Sequence, residues 1–179
     1  MRLFVSIDLA VPVREKLHGW LPEHPDLRQT KKEQLHLTLL FLGECDEDEL
    51  ILISKRLKTI QFDPFEMTIK GFGAFPNRKN PGVIWAGVSK SSELINLQKQ
   101  ISNKLSAFAD SSGNHLFKPH ITLARTTKRF KLKKSDSLFQ KEESISVKVE
   151  SISLKKSVLS AEGSIHTTLG KYNAEKKNS

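Results

Sequence analysis

Histidine and threonine recur two residues apart in one tetrapeptide form, His36-Leu37-Thr38-Leu39 and His120-Ile121-Thr122-Leu123. On a strand, residues i and i+2 share a face. Each segment therefore turns a His/Thr face one way and an apolar face the other. Opposed across a cleft, two such faces bring two imidazoles and two hydroxyls to one point. That set can open a phosphodiester. One neutral imidazole takes a proton from water, while the other, protonated, gives one to the departing oxygen. The hydroxyls hydrogen-bond the phosphoryl oxygens as charge builds on them. No carboxylate or cysteine accompanies either motif, so neither a metal site nor a cofactor is expected.

A single His-x-Thr on a strand is usually a half-buried histidine beside a β-favouring threonine. Two copies in matching positions of a repeat are harder to dismiss. A third match, His166-Thr167-Thr168-Leu169, lies outside that repeat and reads as a chance occurrence on a surface strand.

The elements that must position these residues follow from periodicity. Residues 2–8 alternate as a strand, Pro12 opens a helix over 11–21, and 22–33 read as loop. Residues 35–42 form a strand, and the acidic run Asp46–Glu49 starts a helix reaching about residue 60. Residues 65–69 alternate as a strand, and the Gly/Pro/Asn-rich stretch 71–82 reads as loop. Strand 83–88, helix 91–108, a turn at 111–114 and strand 120–124 follow. Strand, helix and strand thus occur twice, each time ending on a His-x-Thr strand, which predicts two half-domains facing each other. Residues 128–143 are polar and basic, with Lys128, Arg129, Lys131, Lys133 and Lys134 clustered, and read as a connection. Strands at 144–156 and 163–170 complete one domain over 1–179, with a frayed tail at 171–179.

With 179 residues, 37% hydrophobic and 27% charged, the chain reads as soluble and globular. No apolar run approaches the ~20 residues that span a bilayer. The N-terminus, interrupted by Asp8, does not read as a signal peptide. Cys45 is the lone cysteine, so no internal disulfide forms, and a cytoplasmic monomer is expected. A net charge of +9 suits a polyanion such as nucleic acid.

Longer stretches then carry a family resemblance. Arg2-Leu-Phe-Val-Ser-Ile-Asp8, His36-Leu-Thr-Leu-Leu-Phe-Leu-Gly43, Gly71-Phe-Gly-Ala-Phe-Pro76, Val83-Ile-Trp-Ala-Gly-Val88 and Phe117-Lys-Pro-His-Ile-Thr-Leu-Ala-Arg125 occur in order across most of residues 1–125. In these the chain resembles the two-histidine phosphoesterases, specifically the RNA 2′,3′-cyclic phosphodiesterases (2′-5′ RNA ligase-like). The resemblance implies an α+β fold of two pseudo-symmetric lobes, each an antiparallel sheet with helices outside, around a basic cleft. It implies His36 as proton donor, His120 as proton acceptor, and Thr38 and Thr122 as phosphate ligands. The implied reaction opens a 2′,3′-cyclic phosphate at an RNA end to a 2′-phosphomonoester. Arg125, a bidentate donor, is a further candidate for phosphate. The C-terminal third resembles the family only loosely. His166 stands where a tyrosine-like aromatic would be expected, and no role is carried over to it.

Phe41, Phe75 and Trp85 are candidates for stacking on a base, although core packing is the simpler expectation for each. The alternation of strand 35–42 places Phe41 opposite His36 and Thr38, towards the core. Arg78, Lys79 and the 128–134 cluster are candidates for guiding an RNA backbone. His18, His24 and His115 read as surface or structural. Three alternatives remain open: the same chemistry on another cyclic phosphate or nucleotide, 2′-5′ RNA ligation, and an RNA-binding module with a vestigial site.

Overall fold

β1 (Arg2–Asp8) buries Leu3, Val5 and Ile7 to 1% exposure or less, and turns Phe4, Ser6 and Asp8 to its other face. β3 (His36–Glu44) lies antiparallel to it and repeats the pattern, with Leu37 and Leu39 buried and His36 and Thr38 half-buried. These elements come from a computed structural model that describes residues 1–110, 116–128, 130, 143–161 and 163–175.

Between these strands, α1 (Val11–His18) starts with Pro12 in its first turn and ends sooner than expected, at Gly19. Trp20 and Leu21 are buried beyond its end. α2 (Glu47–Leu57) opens on a reciprocal cap. The Glu49 N–H donates to Asp46 Oδ1 at 2.8 Å, and the Asp46 N–H donates to Glu49 Oε2 at 2.9 Å. α3 (Ser92–Lys104) is capped by Ser91, whose Oγ accepts from the Leu94 N–H at 3.2 Å. Leu94, Leu97 and Ile101 of α3 join Leu17, Ile53 and Leu57 of the other helices in one core with the buried strand residues. The helices thus cover the apolar face of the sheet and leave the His/Thr face open.

The remaining strands are β2 (Leu27–Gln29), β4 (Phe65–Pro76), β5 (Pro81–Val88), β6 (His120–Thr126), β7 (Ser144–Val149), β8 (Ser151–Ser160) and β9 (Gly163–Asn173). Among the described residues they form one antiparallel sheet in the order β7-β4-β5-β6-β3-β1-β8-β9, with β2 added beside β6. The fold is the expected α+β, and the two expected lobes are the halves of this sheet. β5, α3 and β6 in one half repeat β1, α1 and β3 in the other. The halves join where Leu37 of β3 pairs Ile121 of β6.

Several boundaries differ from expectation. Residues 71–76 belong to β4. Glycine there serves close packing, since a Cβ on Gly73 would sit 2.0 Å from the Trp85 ring. Gly71, at φ +73°, takes up a register shift between Ile69 and Phe72. The expected loop at 22–33 contains β2. The expected strand 144–156 is two strands parted at Glu150, one on β4 and one on β1. Residues 171–173 pair with β8, so the expected tail begins as strand. The turn at 111–114 and most of 128–143 lie outside the described residues.

Candidate active site

Leu37 and Ile121 are register partners on antiparallel strands. Counting one residue either way sets His36 across from Thr122, and Thr38 across from His120. Because Leu37 and Ile121 face the core, all four polar residues face the other way. His36, Thr38, His120, Thr122 and Arg125 line one cleft of about 360 Å³. The sequence-derived site residues are thus brought together.

Each histidine is held the same way. His36 Nδ1 lies 2.6 Å from the Gln34 carbonyl and His120 Nδ1 lies 2.7 Å from the Lys118 carbonyl, in both cases two residues back. A carbonyl only accepts, so Nδ1 carries the proton in each ring and Nε2 is the nitrogen free for chemistry. His36 Nε2 lies 3.1 Å from Thr38 Oγ1, whose hydroxyl donates to it while the ring is neutral.

Rings fix the imidazole planes. Phe4, nearly fully buried, packs against His36 with centroids 5.0 Å apart. Phe75 meets His120 edge-on at 5.0 Å, and Trp85 lies 5.8 Å away. The Lys118 ammonium sits 4.6 Å above the Trp85 ring. Phe75, half-buried, and Trp85, buried and the register partner of Thr122, therefore pack against His120 and stand outside the main hydrophobic core expected for them. Phe41 does not follow its expectation. One extra residue of β3 between Thr38 and Leu40, relative to β1, and another between Phe41 and Gly43 shift the alternation. Phe41 pairs Phe4, stands 59% exposed and lines the cleft.

His166, read from sequence as a chance match on a surface strand, is instead a cleft residue. Its ring stands edge-on to His36 at 5.1 Å and to Phe4 at 4.9 Å. Its Nδ1 is buried with no hydrogen-bond partner among the described residues. Behind His36 lies a network that sequence reasoning missed. Asp8, the register partner of His36, accepts from Ser153 Oγ at 2.8 Å and pairs with Lys155 Nζ at 2.6 Å. Ser6 and Ser153 are fully buried and Lys155 is 9% exposed. The alternation of β1 places Asp8 on the site face, but no local signal points from it to Lys155.

Burial penalises charge on all three imidazoles. It lowers His36 to about 4, opposed by the Gln34 hydrogen bond and assisted by the charges of His166 and Lys155. His120 is lowered by burial and by the Lys118 ammonium, against the Lys118 carbonyl bond. His166 is lowered by burial and then by Lys155. Arg2, Arg28, Lys31 and Arg125 line the cleft, and among the described residues no carboxylate does. No group of three or more His, Cys, Asp or Glu among the described residues is arranged to hold a metal ion. Arg78 and Lys79 lie in the turn between β4 and β5, outside the cleft lining. His24 caps a turn by accepting from the Asp26 N–H at 3.0 Å.

Two His-x-Thr pairs in a cleft lined by arginine and lysine suit a phosphoesterase, and the chain is similar to proteins of that class. A model of LigT-like phosphoesterases matches residues 7–85, which include the first His-x-Thr pair. The chain is 39% identical over 132 residues to an RNA 2′,3′-cyclic phosphodiesterase of Archaeoglobus fulgidus, covering 72% of this chain and 74% of that one. It is 34% identical to the Thermotoga maritima protein of the same name, covering 70% of each. Its fold superposes on a Thermus thermophilus structure with TM-score 0.80 at 28% identity, over 97% of both chains. It superposes on Escherichia coli LigT complexed with 3′-AMP with TM-score 0.79 at 25% identity, over 98% of both. The chain belongs to the LigT-like phosphoesterase family. No helix among the described residues is long and apolar enough to cross a membrane.

Proposed function

We propose that this protein is a metal-independent RNA 2′,3′-cyclic phosphodiesterase, with residues 1–179 acting as one catalytic domain. The observation that carries the proposal is the Leu37–Ile121 register, which sets each histidine across from the other strand's threonine. The names of the relatives support the substrate.

In the proposed reaction His120 Nε2 takes a proton from water, and the water oxygen attacks phosphorus. The bond from phosphorus to O3′ breaks, and His36 Nε2 delivers a proton to that oxygen. The products are a 2′-phosphomonoester and a 3′-hydroxyl. Thr38, Thr122 and Arg125 hold the phosphoryl oxygens, whose charge grows in the transition state. Before substrate binds, burial keeps both rings neutral near pH 7, which suits His120 as base. The cyclic phosphate brings its own negative charge beside His36 and favours the protonated ring there. The single free, buried Cys45 suits a reducing cytoplasm.

The test is product analysis of an RNA ended by a 2′,3′-cyclic phosphate. A 2′-phosphomonoester is expected. A 3′-phosphomonoester would contradict the assignment of O3′ as the leaving oxygen, and an intact substrate would contradict the activity.

A further inference from the structure

Arg28 of β2 and Arg125 of β6 are direct register partners, and both line the cleft. Like charges directly opposite on neighbouring strands repel. Here no acidic side chain lines the cleft to compensate, among the described residues. Arg28 is also braced, its Nη2 donating to the Ala161 carbonyl at 3.4 Å in the turn between β8 and β9. Two arginines paired across neighbouring strands and lining one cleft without an acid make a site for anionic oxygen. Arg125 is three residues beyond Thr122, roughly 10 Å of strand. The doublet therefore stands to one side of the histidines, with Arg28 level with Arg125 on the neighbouring strand. A single cyclic phosphate between the histidines leaves Arg28 unused.

We infer that Arg28 binds a second phosphate of the substrate, the one on the 5′ side of the terminal ribose, so that the cleft selects polynucleotide ends over mononucleotides. This deepens the cyclic phosphodiesterase proposal and rests on it. A nucleoside 2′,3′-cyclic phosphate lacks that group. A dinucleotide end, or the same nucleoside carrying a 5′-phosphate, has it. The contact is to a phosphate rather than a base, so it selects length without selecting sequence.

The test compares kcat/KM on a nucleoside 2′,3′-cyclic phosphate, its 5′-phosphorylated form and a dinucleotide end, for wild type, Arg28→Gln and Arg28→Lys. Wild type should favour both substrates bearing the 5′ phosphate at least tenfold. Arg28→Gln should bring that ratio close to one, and Arg28→Lys should restore part of it. The slope of log kcat/KM against log salt on the dinucleotide should also flatten by about 0.7 in Arg28→Gln, the value for one phosphate contact on a single strand. A wild type that ignores the 5′ phosphate, or an Arg28→Gln that slows all three substrates equally, would overturn the inference. If wild type opens none of them, the activity proposal fails by itself. Affinity for a nucleoside 2′-monophosphate against the 2′,5′-bisphosphate, in wild type and Arg28→Gln, then decides the subsite. Equal affinities in wild type would overturn it.

Discussion

Leu37 and Ile121 pair across the junction of the two half-sheets, and that apolar contact is what aligns the chemistry. Both side chains are fully buried. A one-residue slip of either strand would turn its histidine into the core and its leucine or isoleucine into the cleft. The hydrophobic core therefore fixes the register, and the register fixes the two histidines against the two threonines. Shortening Ile121 to Ala should cost on the order of 2–4 kcal/mol of stability from the cavity it leaves. The residual folded protein should keep its product specificity, which denaturant titration and product analysis would check.

The pH profile carries a sign. Both catalytic candidates are lowered by burial, His36 to about 4. The state needed, with one ring protonated and the other neutral, is most populated midway between the two values. The kcat/KM optimum, which reports the free enzyme, should lie below pH 6.5. Bound phosphate raises both rings, so the kcat optimum should lie at higher pH. A kcat/KM optimum above pH 7 would contradict the burial of these rings.

Stability responds to the same group. Above about pH 6.5 His36 is neutral folded and unfolded, and stability is full. As pH falls from 6.5 towards 4 the unfolded chain takes up the proton first, and stability declines. The loss owed to His36 should be roughly 2–3 kcal/mol by pH 4. His36→Gln should lack that part of the acid sensitivity, read as a smaller change in urea midpoint between pH 7 and pH 4.

His166 presses a third imidazole against His36. Its charge is one of the influences lowering His36, after burial. Replacing it with Phe keeps a ring against Phe4 and removes that charge. One limb of the kcat/KM bell should then move to higher pH while the limb owed to His120 stays. Two unmoved limbs would show that His166 is electrostatically idle.

Behind the site, Asp8→Asn leaves Lys155 buried without its carboxylate partner. Asp8 is 38% exposed, so water softens the penalty, and about 1–3 kcal/mol of destabilisation is expected. Thermal unfolding checks it. An unchanged midpoint would mean that the ion pair contributes nothing net.

Much of this architecture was legible in the sequence because period-2 alternation speaks directly about faces. It set His36, Thr38, His120 and Thr122 on the face that lines the cleft, and the repeat set their strands side by side. It failed at Phe41, because register irregularities in β3 against β1 are set by strand pairing rather than by local composition. It failed at His166 and Lys155 for a different reason. Both reach the site through the pairing of β8 and β9 beside β1, a contact spanning most of the chain. Residues 71–76 looked like a loop because glycine usually marks one, whereas Gly73 makes room for Trp85.

The central claim is that two histidines do the acid–base work without a metal. Hydrolysis of an RNA ended by a 2′,3′-cyclic phosphate, in EDTA, with wild type, His36→Ala and His120→Ala, tests it most directly. Wild type should remain active in EDTA, and each variant should lose about 10²–10⁴-fold in rate while keeping its thermal midpoint at pH 7 within a few degrees. Activity abolished by EDTA, or a folded variant that retains the wild-type rate, would contradict it.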